Sequence, residues 1–212
     1  MNYRDLIEVV KPDEIEKKSF ETIAAELRDR GIVLPKEQRL ITMRAIHTTA
    51  DFDYAKTLCY SKGAVSEIKR LISSGADIVT DTNMALSGIN KRRLSAFGGE
   101  ARCFMADEDV AREAKERGVT RATVSMERAL RSSKPTIFVI GNAPTALISL
   151  YDAMQQGIGR PAFVIGVPVG FVNVEASKKL IMSTDVPYIV NRGRKGGSNV
   201  AAAICNAVIY QL

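Results

Sequence analysis

Thr136-Ile137-Phe138-Val139-Ile140-Gly141-Asn142-Ala143-Pro144-Thr145 decides the fold class. Its first five residues are a strongly apolar run of strand length. Gly141 breaks the run, and Pro144 opens a helix, where a fixed φ and a missing N–H are tolerated. An apolar run without polar alternation marks a strand covered on both faces, the pattern of a parallel sheet. Proline at the helix start leaves the other amides of the turn, on this reading, free to point toward an anionic ligand.

The same design recurs downstream. Ala162-Phe163-Val164-Ile165 is a strand followed by Gly166-Val167-Pro168-Val169-Gly170. Tyr188-Ile189-Val190 is the last strand, followed by Asn191-Arg192-Gly193-Arg194-Lys195-Gly196-Gly197-Ser198 and a terminal apolar helix. Upstream, Ile78-Val79-Thr80 reads as a short strand, with a polar turn at Asp81-Thr82-Asn83 and then a helix. Ala101–Met105 reads as another strand, and residues 107–117 and 120–132 as helices, the first stopped by Gly118. Strands alternating with helices imply parallel pairing through right-handed crossovers. The expected fold is α/β: a three-layer α/β/α, Rossmann-like arrangement with a mostly parallel sheet of about five strands. A chain of 212 residues fits one such domain over residues 1–212.

Before residue 76 the pattern is helical. Residues 12–31 carry Ile15, Phe20, Ile23, Ala24 and Leu27 at helical spacing, with Pro12 at the start and Gly31 as the stop. Residues 36–50 form a second helix, with Leu40, Met43 and either Ile46 or His47 on one side. Residues 52–60 fit an extended or a helical conformation equally, and residues 63–74 a short helix.

Composition narrows the function classes. The chain is 46% hydrophobic and 25% charged, the balance of an ordinary globular protein. No apolar run approaches the roughly 18 residues of a membrane span. Met1-Asn2-Tyr3-Arg4-Asp5 is too polar for a secretory signal, so the expected location is cytoplasmic, with no membrane partner. Cys59, Cys103 and Cys205 lie far apart and form no CxxC, which argues against a disulfide framework. One histidine cannot complete the usual zinc spacings, so no metal site is expected. The net charge of +6 suits an anionic partner. Only 6% of residues are aromatic and no basic cluster is interleaved with them, so nucleic acid is not an expected partner. Neither GxGxxG after the first strand nor GxxxxGK[ST] is present, against a dinucleotide or P-loop site.

Two constellations remain. Ligands of open parallel sheets bind at the carboxyl ends of the strands, where the glycine turns at 141–145, 166–170 and 191–198 would converge. Arg192, Arg194 and Lys195 in the last turn suit carboxylates or phosphates. The other reading is that any α/β protein needs such turns. His47, the only histidine, is the one side chain with an unperturbed pKa near neutrality. In the last turn of its helix, the dipole favours the imidazolium and is expected to raise that pKa. Asp51 and Asp53 either raise it further or cap the helix end. A lone helical histidine without a chemical task is the alternative, and the residues alone do not decide.

Taken together, five stretches resemble one family. They are Ile15-Glu16-Lys17-Lys18-Ser19-Phe20, the segment Arg44-Ala45-Ile46-His47, Gly141–Leu147, Gly166–Val172 with Glu175 and Lys178, and Arg192–Ser198. In this order they resemble precorrin-8X methylmutase over nearly the whole chain. The resemblance implies an isomerase of cobalamin biosynthesis. It would move a methyl group from C-11 to C-12 of precorrin-8X or cobalt-precorrin-8, giving hydrogenobyrinate or cobyrinate. It implies no cofactor, since any cobalt would belong to the substrate, and an anionic corrinoid as partner. It also implies a homodimer with the site near the interface.

The resemblance assigns His47 as the catalytic residue, a proton donor to a ring nitrogen near the migrating methyl. Ser19, Thr82 and Arg121 fall at positions implied to lie near the ring. The turns at Asn142 and Gly166 would offer backbone donors. Arg194 would pair with peripheral carboxylates, with Gly196 and Gly197 in the same turn. For Lys195, where family members vary, only its charge is implied. The alternative function is a corrinoid or tetrapyrrole carrier, which would bind without converting.

Overall fold

Ile137, Phe138, Val139 and Ile140 are fully buried, at the centre of a sheet. The computed structural model describes Arg4, Ile7 and residues 10–212. Six strands form the sheet among them: β1 (Leu58–Tyr60), β2 (Asp77–Thr80), β3 (Ala101–Arg102), β4 (Thr136–Ile140), β5 (Phe163–Gly166) and β6 (Tyr188–Asn191). Their order is β1-β6-β5-β4-β2-β3. All neighbours are parallel except β1 and β6, which pair antiparallel with Cys59 opposite Val190.

The β4 side chains alternate between two cores, as a period of two requires. Ile137 and Val139 pack in one cluster with Ile78, Ile165 and Ile189. Helices α1 (Ile15–Asp29), α2 (Arg39–Thr49), α4 (Ala64–Ser73) and α11 (Ser198–Ile209) cover that face. Phe138 and Ile140 pack in the other cluster with Val164 and Val190. There α8 (Arg121–Leu130), α9 (Pro144–Gln155) and α10 (Val174–Met182) supply Met126, Leu150 and Ile181. Short helices α3 (Tyr54–Thr57), α5 (Asn83–Gly88) and α6 (Lys91–Ser95), with the charged α7 (Glu108–Arg117), complete the described chain. The three-layer α/β/α reading holds.

The differences in detail have physical causes. The ambiguous stretch 52–60 contains both forms, α3 and then β1, and β1 adds a sixth, antiparallel edge strand to the expected five. The strand expected over 101–105 is two residues long. It pairs only with β2, so no second neighbour extends it. On α2 the buried side is Ile41, Thr42, Met43, Ala45 and Ile46. Leu40, expected on that side, is 49% exposed.

Candidate active site

Four strands end at the carboxyl edge in turns that carry polar groups. Asp81 follows β2 and is 1% exposed. Its Oδ1 accepts the Gly141 amide at 2.8 Å, and its Oδ2 accepts those of Asn142 at 2.8 Å and Ala143 at 2.6 Å. Burial raises the carboxyl's pKa, and the three amide donors act against that rise. The amides expected to point freely toward a ligand are therefore not free. The protein fills its own anion site at the start of α9 with an internal carboxylate. Asn142 keeps an exposed side chain there.

Thr82, next to Asp81, caps α5 by accepting the Ala85 amide at 3.1 Å. Its hydroxyl lies 2.7 Å from that of Ser198 at the start of α11. Gly166 is the last residue of β5 and is buried, and the next amide, of Val167, is given to Ile140 at 2.9 Å.

The basic turn after β6 is held from below. Lys178 on α10 is 1% exposed, and its Nζ donates to the carbonyls of Gly193 at 2.7 Å and Lys195 at 2.9 Å. Desolvation pushes this ammonium down to about 8, against the pull of Glu175. Buried Asn191 donates to the same Lys195 carbonyl at 2.9 Å and accepts the Thr57 hydroxyl at 2.7 Å. Gly196 packs so closely under the β5–α10 loop that a Cβ would come within 2.0 Å of the Val167 oxygen. Gly197 is buried and donates its amide to that oxygen at 2.9 Å.

All three cations of the turn already have partners within the chain, and Arg192 donates to the Lys56 carbonyl at 3.0 Å. Arg194 meets Glu175 at 3.2 Å, with its guanidinium 5.6 Å from the Phe171 ring centre. Lys195 reaches Asp51 and Asp53, both at 2.6 Å, and these hydrogen bonds raise its pKa. Asp51 also accepts the Asp53 amide at 2.9 Å, so it caps the chain after α2 and pairs with Lys195 at once. That pairing ties the end of α2 to the carboxyl edge of the sheet.

His47 is exposed in the last turn of α2, which Ala50 ends in the left-handed conformation. The Phe20 ring from α1 faces it at 5.4 Å, tilted by 30°. Arg44, one turn earlier, lies 4.6 Å over the same ring and pairs with Glu16 at 2.7 Å. The Arg44 hydrogen bond holds the Glu16 carboxyl below its ordinary pKa, and the His47 charge adds to that. Ser19 is half-buried next to Phe20 and donates to the Ile15 carbonyl at 2.9 Å.

Arg121 opens α8, exposed, with Nη1 3.5 Å from the Met105 carbonyl. Its neighbour Thr120 lies 3.4 Å from Thr145 in the first turn of α9, so both helix starts share the edge. The structure thus gathers Thr82, Asn142, Gly166, Arg194, Lys195, Gly196 and Gly197 at the strand ends. His47 and Arg121 lie on flanking helices, near the Asp51–Lys195 pair and the Thr120–Thr145 contact that reach this edge. Reading the residues alone missed Asp81 and Lys178 as the charges that shape the turns. The available signal was a single acidic residue directly after a strand, and a lysine inside an apolar helical face.

Fold and site define a three-layer α/β protein with a basic, glycine-built carboxyl edge and one exposed histidine on a flanking helix. The profile of the precorrin-8X methylmutase family matches residues 14–211. A cobalt-precorrin-8 methylmutase of Priestia megaterium is 42% identical over 199 residues, covering 94% of this chain and 88% of that protein. A precorrin-8X methylmutase of Pseudomonas aeruginosa is 37% identical, covering 92% and 93%. The crystal structure of the precorrin-8X methylmutase of Thermus thermophilus superposes with a TM-score of 0.83 at 37% identity, covering 93% and 96%.

This chain belongs to the precorrin-8X methylmutase family. It is an isomerase of the methylmutase type.

Proposed function

We propose that the protein moves a methyl group from C-11 to C-12 of precorrin-8X or cobalt-precorrin-8, giving hydrogenobyrinate or cobyrinate. The observation that carries this reading is the placement of His47. It is exposed on the last turn of α2, whose end Asp51 ties to the basic turn through Lys195.

In this mechanism His47 gives a proton to a ring nitrogen near the migrating methyl. Protonation withdraws electron density from the conjugated ring and lowers the barrier. The C-11–methyl bond breaks as the C-12–methyl bond forms, a 1,5-sigmatropic shift within one molecule. The product then returns the proton to His47. No electron leaves the ring and no outside methyl donor is consumed, so the reaction needs no redox cofactor. Any cobalt is carried by the substrate.

Substrate binding is assigned to Ser19, Thr82, Arg121, Asn142, Arg194 and Lys195, with Gly166, Gly196 and Gly197 shaping the turns that carry them, all in one methylmutase domain. A flat polycarboxylate suits the charge of +6 and the cations of this edge. For Arg194 and Lys195, substrate carboxylates compete with Glu175, Asp51 and Asp53. We further propose a cytoplasmic homodimer. Phe171 and Val172, 84% and 76% exposed on the loop after β5, supply apolar surface for a partner subunit.

The test is to incubate the purified protein separately with precorrin-8X and cobalt-precorrin-8 and follow the absorbance spectrum. Conversion of either supports the reading. A carrier would bind a corrinoid tightly and convert neither, and that result would overturn it.

A further inference from the structure

Lys178 is a charged side chain only 1% exposed, and its ammonium donates to backbone carbonyls. Its ammonium spans two carbonyls of one turn, those of Gly193 and Lys195, at 2.7 and 2.9 Å. The residue between them is Arg194. A buried charge carries a desolvation cost that hydrogen bonds only partly repay, and an apolar side chain of similar volume would fill the same space without that cost. What the charge adds is a fixed distance between two carbonyls, and so a fixed direction for the intervening residue.

We propose that Lys178 is a positioning residue: from inside the protein it sets the backbone of residues 193–195, and so the presentation of Arg194 and the Gly196 turn to the corrinoid. This rests on the corrinoid reading above. Four further observations agree with it. The Arg194 carbonyl accepts the Gly170 amide at 3.2 Å, so the same residue ties the basic turn to the β5–α10 loop. Asn191, also fully buried, joins Lys178 on the Lys195 carbonyl. Gly193 takes a left-handed φ of 76° with open space around its Cβ position, so packing against Gly193 does not hold the turn there. A cavity of about 530 Å³ opens beside Lys178, lined in part by Glu175, Met182, Arg192 and Gly193. Without the ammonium, this side of the turn has room to move.

The experiment compares the wild type with Lys178→Met, which keeps the length and removes the charge, and Lys178→Gln, which keeps a neutral donor. For each we would measure cobyrinate affinity by absorbance titration, kcat and KM with the preferred precorrin-8 form, and thermal unfolding. The expected result for Lys178→Met is a folded protein with Kd and KM raised tenfold or more and kcat within threefold of wild type. Lys178→Gln should fall between the two. Unchanged Kd and KM in folded Lys178→Met would overturn the inference. So would losses confined to kcat, or failure of both variants to fold, which would make Lys178 a residue of the fold alone. A wild type that binds cobyrinate but converts neither substrate would sink the methylmutase reading, while the Kd comparison would still judge Lys178.

Discussion

The carboxylate of Asp81 stands 2.6 Å from the amide nitrogen of Ala143 and also takes the amides of Gly141 and Asn142. A helix start that would ordinarily recruit an anion from solution is thus satisfied by the residue that follows the neighbouring strand. The turn after β4 has its donors committed inward. At this turn only the Asn142 side chain is left exposed for the substrate contact proposed above.

Replacing Asp81 tests this directly. Asp81→Ala leaves three amides without their acceptor in a buried setting, and each such loss costs about 1–3 kcal/mol. We expect the variant to lose about 3 kcal/mol or more in urea unfolding. Asp81→Asn, with one acceptor oxygen in place of two, should lose less. A change below about 1 kcal/mol in Asp81→Ala would show that the clasp is dispensable.

Gly196 and Gly193 lie in one turn and should respond differently to alanine. A Cβ on Gly196 would stand 2.0 Å from the Val167 oxygen, so the backbone must shift. We expect Gly196→Ala to cost about 3 kcal/mol or more, at the upper end of overpacking effects. Gly193→Ala meets no neighbour within 4 Å and bears only the left-handed backbone penalty, about 1–2 kcal/mol. Equal melting temperatures for the two variants would contradict the close approach of the turn to the β5–α10 loop.

The Glu16–Arg44 pair adds a pH-dependent tie between α1 and α2 beside His47. Hydrogen bonding to Arg44 holds the Glu16 carboxyl below its ordinary value of 4.5. A carboxyl depressed in the folded state stabilises above its unfolded pKa, and that gain is lost as pH falls through the folded value. Glu16 is largely exposed, so the gain is under about 1 kcal/mol. Glu16→Gln should therefore be slightly less stable than wild type at pH 7, and the difference should shrink as pH falls below 4.5. A stability difference that persists unchanged to pH 3 would rule out the ionic tie.

The sheet was legible because its strands are short apolar runs cut by glycine or proline, and their burial on both faces leaves a one-dimensional signal. The edge strand β1 was not, because Leu58-Cys59-Tyr60 is three residues long and follows a helical turn without a breaker. Its pairing with β6 comes from tertiary contact. At the site, residue types pointed to His47 and to the basic turn. Partners separated by long stretches of chain did not show, such as Lys195 with Asp51 or Asp81 with Gly141. An acceptor looks the same in sequence whether its donor is a ligand or a backbone amide some sixty residues away. For that reason free amides were expected at 141–143, where the fold had already used them.

In the proposed mechanism His47 supplies the proton for the methyl shift, and single-turnover spectroscopy of His47→Ala with the preferred precorrin-8 form would show whether it does. His47 is exposed, so the variant should fold with an unchanged melting temperature and still bind product. Its rate should fall by about 10²–10⁴-fold, the usual contribution of a positioned acid. A folded His47→Ala that converts substrate at the wild-type rate would remove His47 from the chemistry.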